Sequence, residues 1–343
     1  MDFLIEYGMF LAKALTIIIS TGAVLSMVVS ASQKTNRGED NGEIEILPLN
    51  IDFEKTKNKL RIATVEESEK KIERKKIKKE FKNKNAFNPK SKRRVYVVNF
   101  EGNIAASAVD NLREEITAIL SVANKKDEIV VRLESSGGMV HSYGLASSQL
   151  DRIKKAKLKL TICVDKVAAS GGYMMACVGD KMIAAPFAIV GSIGVVAQMP
   201  NFNKLLKKHD IDFELLTAGE HKRTLTLFGK NTDKGREKFI EELNETHELF
   251  KEYVSKRRPN VDINKIASGE IWFGSRAKEL SLVDEISTSD EYICSCFNSA
   301  KVFEIKFVRK QKLLQRVGGS VEASITRIAE KLWSRFTNPN NNF

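Results

Sequence analysis

The sequence predicts an α/β domain built of βαβ units, with parallel strands covered by helices. Three observations predict it. Short β-like runs alternate with helix-length segments from Arg94 to about residue 198, the pattern that βαβ units impose. The apolar fraction, 42% of 343 residues, suffices to bury a sizeable core. No segment repeats at a solenoid period, so one principal domain with extensions accounts for the length.

The N-terminal segment, residues 1–33, is expected to anchor the chain in a membrane. Residues 14–33 carry no charged side chain, and about 20 such residues span a bilayer as a helix. A cleaved signal peptide is the alternative, since Val-Ser-Ala at 29–31 has the small-residue character of a cleavage site. The start MDFLIEYG has two acids and no basic n-region, which favours an uncleaved anchor.

Residues 34–93 are expected to form a charged, basic linker, poor in large apolar groups and unable to bury a core. The net charge of +12 concentrates at its end. Residues 70–94 hold thirteen Lys/Arg against Glu73 and Glu80, a surplus of 11 that leaves about +1 for everything else. The folded body therefore requires no polyanionic partner such as nucleic acid. A spacer is the favoured reading of the linker, with attraction to anionic lipid head groups as its alternative.

The main domain, residues 94–300, follows element by element. VYVVNFEG (95–102) is a short apolar strand. Residues 104–123 have helical spacing, with Leu112, Ile116, Ile119 and Leu120 on one face. EIVVRLES (128–135) is a strand, SSGG a turn and residues 142–156 a helix. LKLTICVDKVAAS (158–170) is strand-like and leads into SGGYMMACV, the start of a buried helix. KMIAAP (181–186) and SIGVVAQ (192–198) continue the alternation, and residues 233–257 form a long, charged helix. A C-terminal extension, 301–343, includes an amphipathic helix at 320–336. Cys163 and Cys177 fall in apolar runs and are expected to be small buried hydrophobes. Cys294 and Cys296 are too isolated for a metal site, and no cofactor or metal is implied.

Ser170 is the residue with most chemical promise. It lies between a β-like run and Gly171-Gly172, where a nucleophile is exposed at a strand-to-helix corner and where an ordinary helix N-cap also occurs. A serine needs a base. Of the four histidines, His209, His221 and His247 fall in charged surroundings that suggest solvent, so His141 is the candidate for a triad. A lysine serves if burial lowers its pKa from about 10.4. Lys222, in TAGEHKRTLTLFG, is one candidate, and Lys166, four residues before Ser170, is its rival. SSGG (135–138) supplies glycines whose N–H groups can face an oxyanion, or a plain turn. Ser192, in GSIG, either orients a lysine or caps a loop.

ESSGGMVHSYGLASSQL, VDKVAASGGYMMACVGDKMIAAPFAIVGSIGVV and TAGEHKRTLTLFG together resemble the signal peptide peptidase A (protease IV) family over about residues 95–290. NETHELFKEYV, GEIWFGSRAKELSLVDEI and the N-terminal segment place the resemblance in its SohB branch. The resemblance implies a ClpP/crotonase-like spiral α/β fold and a bacterial inner-membrane serine endopeptidase acting on signal peptides or membrane-derived peptides. Residue by residue, it implies Ser170 as nucleophile, Lys222 as general base and Ser192 as the residue orienting that lysine. It implies an oxyanion turn at Gly137 and Gly138. It also implies a homo-oligomer completing the groove, and a catalytic domain on the periplasmic side, against which Lys34 and Arg37 argue by the positive-inside rule. One departure stands out: relatives read N-S-P-G-G where this chain has Glu134-Ser135-Ser136-Gly137-Gly138, so the turn lacks its proline. A crotonase-type acyl-CoA enzyme and a catalytically idle membrane scaffold are the competing readings.

Overall fold

The computed structural model describes residues 42–86, 93–219 and 221–309, with positions 8, 9, 13 and 16 nearer the N-terminus. The chain divides into two compact units, residues 44–307 and residues 1–43 with 308–343. The second lies almost wholly outside the described residues, and with it most of the expected anchor and the expected helix at 320–336. Among the described residues no helix is long and apolar enough to cross a membrane.

The described chain begins inside the segment expected as a linker, with β1 (Gly42–Pro48), α1 (Leu49–Ala63) and α2 (Lys70–Ala86). The body continues through β2 (Arg93–Gly102), α3 (Val109–Val122), β3 (Glu128–Ser135), α4 (Val140–Lys155), β4 (Lys159–Val164), β5 (Val167–Ala169), α5 (Gly171–Ala176), β6 (Lys181–Ala184) and β7 (Ile189–Gly191). After these come α6 (Asn203–Lys208), α7 (Asp233–Arg257), α8 (Ile263–Ile266), β8 (Ile271–Phe273), α9 (Gly274–Glu279), β9 (Glu285–Ile286), α10 (Ser289–Cys296) and β10 (Ala300–Arg309).

The architecture is mixed α/β around one many-stranded sheet of order β1-β10-β2-β3-β4-β6-β9. Pairing is parallel from β10 to β9, as βαβ crossovers require. The strand cores are apolar on both faces because helices cover both. Leu112, Ile116 and Ile119 of α3 and Tyr143, Leu150 and Ile153 of α4 are fully buried against one face, each worth roughly 1.5–3 kcal/mol over exposure. Val95, Val97, Val130 and Ile183 face the other, where α10 supplies Ile293 and Cys296.

The run at 158–170 is interrupted, and the interruption positions the site. β4 pairs residues 128–132 of β3. At Asp165-Lys166 the chain steps away, and β5 pairs the end of β3 instead, Ser135 opposite Ala168. β5 then pairs β7, which turns antiparallel onto β8. A short second row of strands thus branches from β3. The strand expected at 192–198 does not form: β7 ends at Gly191, and residues 192–200 carry no ladder. Ser192 explains the end, with a φ of 52° that leaves the β region.

Candidate active site

Register brings the candidate residues together. Ser135 lies opposite Ala168, so the two chains leave their strands side by side and set Gly137 next to Ser170. An added Cβ on Gly137 would lie 2.8 Å from the Ser170 Cβ and 2.7 Å from the Gly171 nitrogen. Gly137 also takes a φ of 90°, open to glycine at no steric cost.

Ser170 sits at φ 52° and ψ −119°, a conformation that costs a non-glycine residue on the order of 1–3 kcal/mol. It is held there from both sides. Its N–H donates to the Gly191 carbonyl at 2.8 Å, and its carbonyl accepts from Met174 N–H at 3.0 Å. The side chain makes no cap to α5, so the hydroxyl is left for the groove. The corner therefore leaves a free hydroxyl and is not an ordinary N-cap.

The turn that lacks a family proline is held by side chains. The Tyr143 hydroxyl donates to the Asn103 carbonyl at 2.8 Å and lies 2.5 Å from the Ser135 hydroxyl. The Gly137 N–H donates to Ser135 Oγ at 3.0 Å. Met139 N–H donates to the Ile104 carbonyl at 2.9 Å. The Gly137 donor is therefore spent within the turn. The N–H groups of Gly138 and Gly171 have no acceptor among the described residues, and both glycines line the groove. Burial raises the Tyr143 phenol, partly offset by the Ser135 bond, so Tyr143 stays a neutral donor.

Ser170 and Ser192 open into one groove of about 1050 Å³. Its walls are mostly apolar: Ile104, Val140, Met174, Val195, Leu249 and Phe250. One imidazole enters it. His247, expected to face solvent from a charged helix, is half-buried, and its Nε2 lies 3.3 Å from the Ile193 carbonyl. The signal was present, because Leu243, His247, Phe250 and Val254 share one face of α7 at i, i+4, i+7 and i+11. No charged residue lines the groove among the described residues.

The other candidates lie elsewhere. His141 is exposed at the start of α4 and does not line the groove. Lys166 pairs with the Glu134 carboxylate at 2.9 Å, and that hydrogen bond raises its pKa, the wrong direction for a base. Lys222 is exposed, with its N–H on the Gly219 carbonyl at 3.2 Å, and is not part of the groove wall. It belongs to an arm, residues 195–231, whose base is fastened by Asn201 to the Thr226 and Gly229 carbonyls and by Asn203 to that of Phe228.

Comparison with known proteins decides the family. The family model described as Peptidase family S49 matches residues 152–302, and Peptidase family S49 N-terminal matches residues 2–150. The chain belongs to peptidase family S49. It is 48% identical over 341 residues to Probable protease SohB of Haemophilus influenzae, covering 96% of each chain. It is 46% identical over 337 residues to Probable protease SohB of Buchnera aphidicola subsp. Acyrthosiphon pisum, covering 97% of this chain and 98% of that one. A more distant relative, Protease 4 of Haemophilus influenzae, is 28% identical over 208 residues, 58% of this chain and 34% of that one. A protease role follows for this S49 chain. The described thiols stand apart from it: Cys163 and Cys177 are buried and free, burial pushes both up to about 12, and the described residues hold no cluster that could take a metal ion.

Proposed function

We propose that the chain is a membrane-anchored serine endopeptidase whose nucleophile is Ser170 and whose general base is Lys222 of a neighbouring copy. The observation that carries this reading is the Ser170 corner. A hydroxyl held at positive φ opens into an apolar groove beside two free N–H groups.

In the proposed cycle the neutral Lys222 amine takes the Ser170 proton as the hydroxyl oxygen attacks the scissile carbonyl. The oxyanion faces the N–H groups of Gly138 and Gly171, each such donor worth about 3 kcal/mol. Lys222 then protonates the leaving amine, and water hydrolyses the acyl-enzyme. A lysine base must be desolvated to be neutral near pH 7, which an exposed position within one chain does not provide. Supply from a second copy answers this. The arm bearing Lys222 exposes Leu216 (90%), Val196, Leu205 and Ile211, apolar surface suited to packing on another copy. Ser192, on the same groove, orients the incoming amine.

The branching row β3-β5-β7-β8 supports a spiral sheet of the ClpP/crotonase kind. The apolar groove suits extended apolar peptides, such as signal peptides or membrane-derived segments, with residues 14–33 anchoring the enzyme in the inner membrane and the catalytic domain in the periplasm.

The test is complementation in detergent solution. Ser170→Ala and Lys222→Ala variants are each expected to be inactive on an apolar peptide while remaining folded. Mixed and reassembled, they recover activity, because about a quarter of interfaces then pair an intact serine with an intact lysine. Activity in either single variant removes that residue from the dyad. Two inactive variants with no recovery on mixing place both residues in one copy.

A further inference from the structure

The helix α2 holds nine Lys/Arg and two acids among its 17 residues. Both acids bond the same arginine of α1, and Glu73 also lies 3.9 Å from Lys76. Arg61 of α1 bonds Glu73 at 2.9 Å and Glu80 at 2.9 Å. Glu73, Ile77 and Glu80 follow i, i+4, i+7 spacing and define the face turned toward α1. The opposite face carries Lys71, Lys75 and Lys78, flanked by Arg74 and Lys79, all exposed. Among the described residues none of these five meets a carboxylate, since the ion pairs of α2 fall on Glu67, Glu73 and Glu80. The fold has sorted the charges of this helix into an acidic face turned toward α1 and a cationic row about 12 Å long.

The row is fastened to the body. Asn50, at the start of α1, donates to the carbonyls of Phe297 at 3.2 Å and Ala300 at 3.1 Å, and accepts from Val302 N–H at 2.6 Å. Phe53 packs against Phe297 with ring centroids 4.9 Å apart and the rings tilted at 43°. Segregating like charges on one helix face costs stability and does nothing for the peptidase groove.

We propose that this cationic face docks on an anionic phospholipid surface. The row is straight and lysine-rich, as attraction to a plane of head groups requires. From Lys71 to Lys79 the row has no aromatic residue on which a base would stack, the usual companion of charge in single-strand nucleic-acid sites. Ile72 is exposed at its flank, and the same chain carries the uncharged residues 14–33 upstream.

The experiment follows tryptic cleavage after Arg74 by mass spectrometry, using the full chain with vesicles of phosphatidylcholine alone or with about one-third phosphatidylglycerol. Cleavage is expected to slow about tenfold on the anionic vesicles only. Raising salt to about 0.5 M, where the Debye length is about 4 Å, restores it. The variant Lys71→Gln/Lys75→Gln/Lys78→Gln/Lys79→Gln, which keeps Arg74, loses the protection while cleaving like the parent on neutral vesicles. Equal rates on the two vesicle types overturn the proposal. So does stronger protection by duplex DNA than by anionic vesicles.

Discussion

The nucleophile corner and the lysine arm lie within one chain and are built in opposite ways. At the corner, Ser170 is fixed by hydrogen bonds on both sides, and Gly137, Gly138, Gly171 and Gly172 all lie where a Cβ would collide with neighbours. Among the described residues of the arm, regular structure is limited to α6, and large apolar side chains face solvent. A strained serine must be held by surroundings that leave it no alternative. An arm that leaves Leu216, Leu205 and Ile211 uncovered among the described residues is suited to completing its packing elsewhere. The difference teaches that one half of the proposed dyad is finished on folding, whereas the other half awaits assembly.

The sharpest way to break the corner is Gly171→Ala. The new methyl enters the space of the Tyr143 ring, and Tyr143 cannot retreat because its hydroxyl is tied to Asn103 and Ser135. We expect labelling by a serine-reactive probe to fall at least a hundredfold, with stability lower by about 1–3 kcal/mol. Labelling at the parent rate would mean that the corner is looser than its contacts imply.

A second prediction separates the stability of the body from the chemistry of the site. Glu115 of α3 is 4% exposed. One oxygen accepts from Phe307 N–H at 2.9 Å and the other has no partner. Burial drives its pKa up to about 7, against the pull of Phe307 N–H and Lys306. An acid held above its unfolded value of 4.5 contributes most below that value and loses its contribution as pH rises toward 7. The loss amounts to about 3 kcal/mol. Denaturant titrations from pH 4.5 to 8 should show this decline, and Glu115→Gln should flatten it without changing kcat per folded molecule at pH 8. A parallel fall in kcat would tie the site to this part of the core.

How much of this was legible in the sequence follows the same division. The helix at 233–257, the strand at 128–135 and the apolar face of α3 were legible because their periodicity is set by burial on one side. The break at Asp165-Lys166 was not, since a strand that changes partners keeps its apolar pattern. Of the candidate site, the glycines and Ser170 that the structure brings together were legible as motifs. Tyr143, whose hydroxyl ties to Ser135 across the turn, carried no such signal, whereas His247 carried one in the apolar spacing of its helix face that its charged neighbours on α7 masked. The order within the supposed linker escaped for a different reason. Its helices bury nothing large themselves, and Asn50 alone makes three of the bonds that fasten them.

The arm is tested by Leu216→Asp. Within one chain this residue is 90% exposed, so thermal stability of the separated chain should hardly move. Burying a charge in an interface costs several kcal/mol, so the assembly should weaken and activity fall about tenfold at low protein concentration, recovering as concentration rises. Concentration-independent activity would mean that the arm finishes its site without a partner.

The smallest effect is expected where the two regions meet. His247 reaches from helix α7 to the Ile193 carbonyl, one residue beyond Ser192 and two before the arm begins. A neutral imidazole with its proton on Nε2 donates there, which leaves that nitrogen unable to act as a base toward Ser170. Its contribution is to fix the groove wall, so loss should appear in KM more than in kcat. We expect His247→Ala to raise KM about threefold to tenfold, the scale of one hydrogen bond. His247→Gln, whose amide nitrogen can donate to the same carbonyl, should restore most of it. If Gln and Ala variants both lose kcat instead, the ring takes part in proton transfer, and the corner is not complete without it.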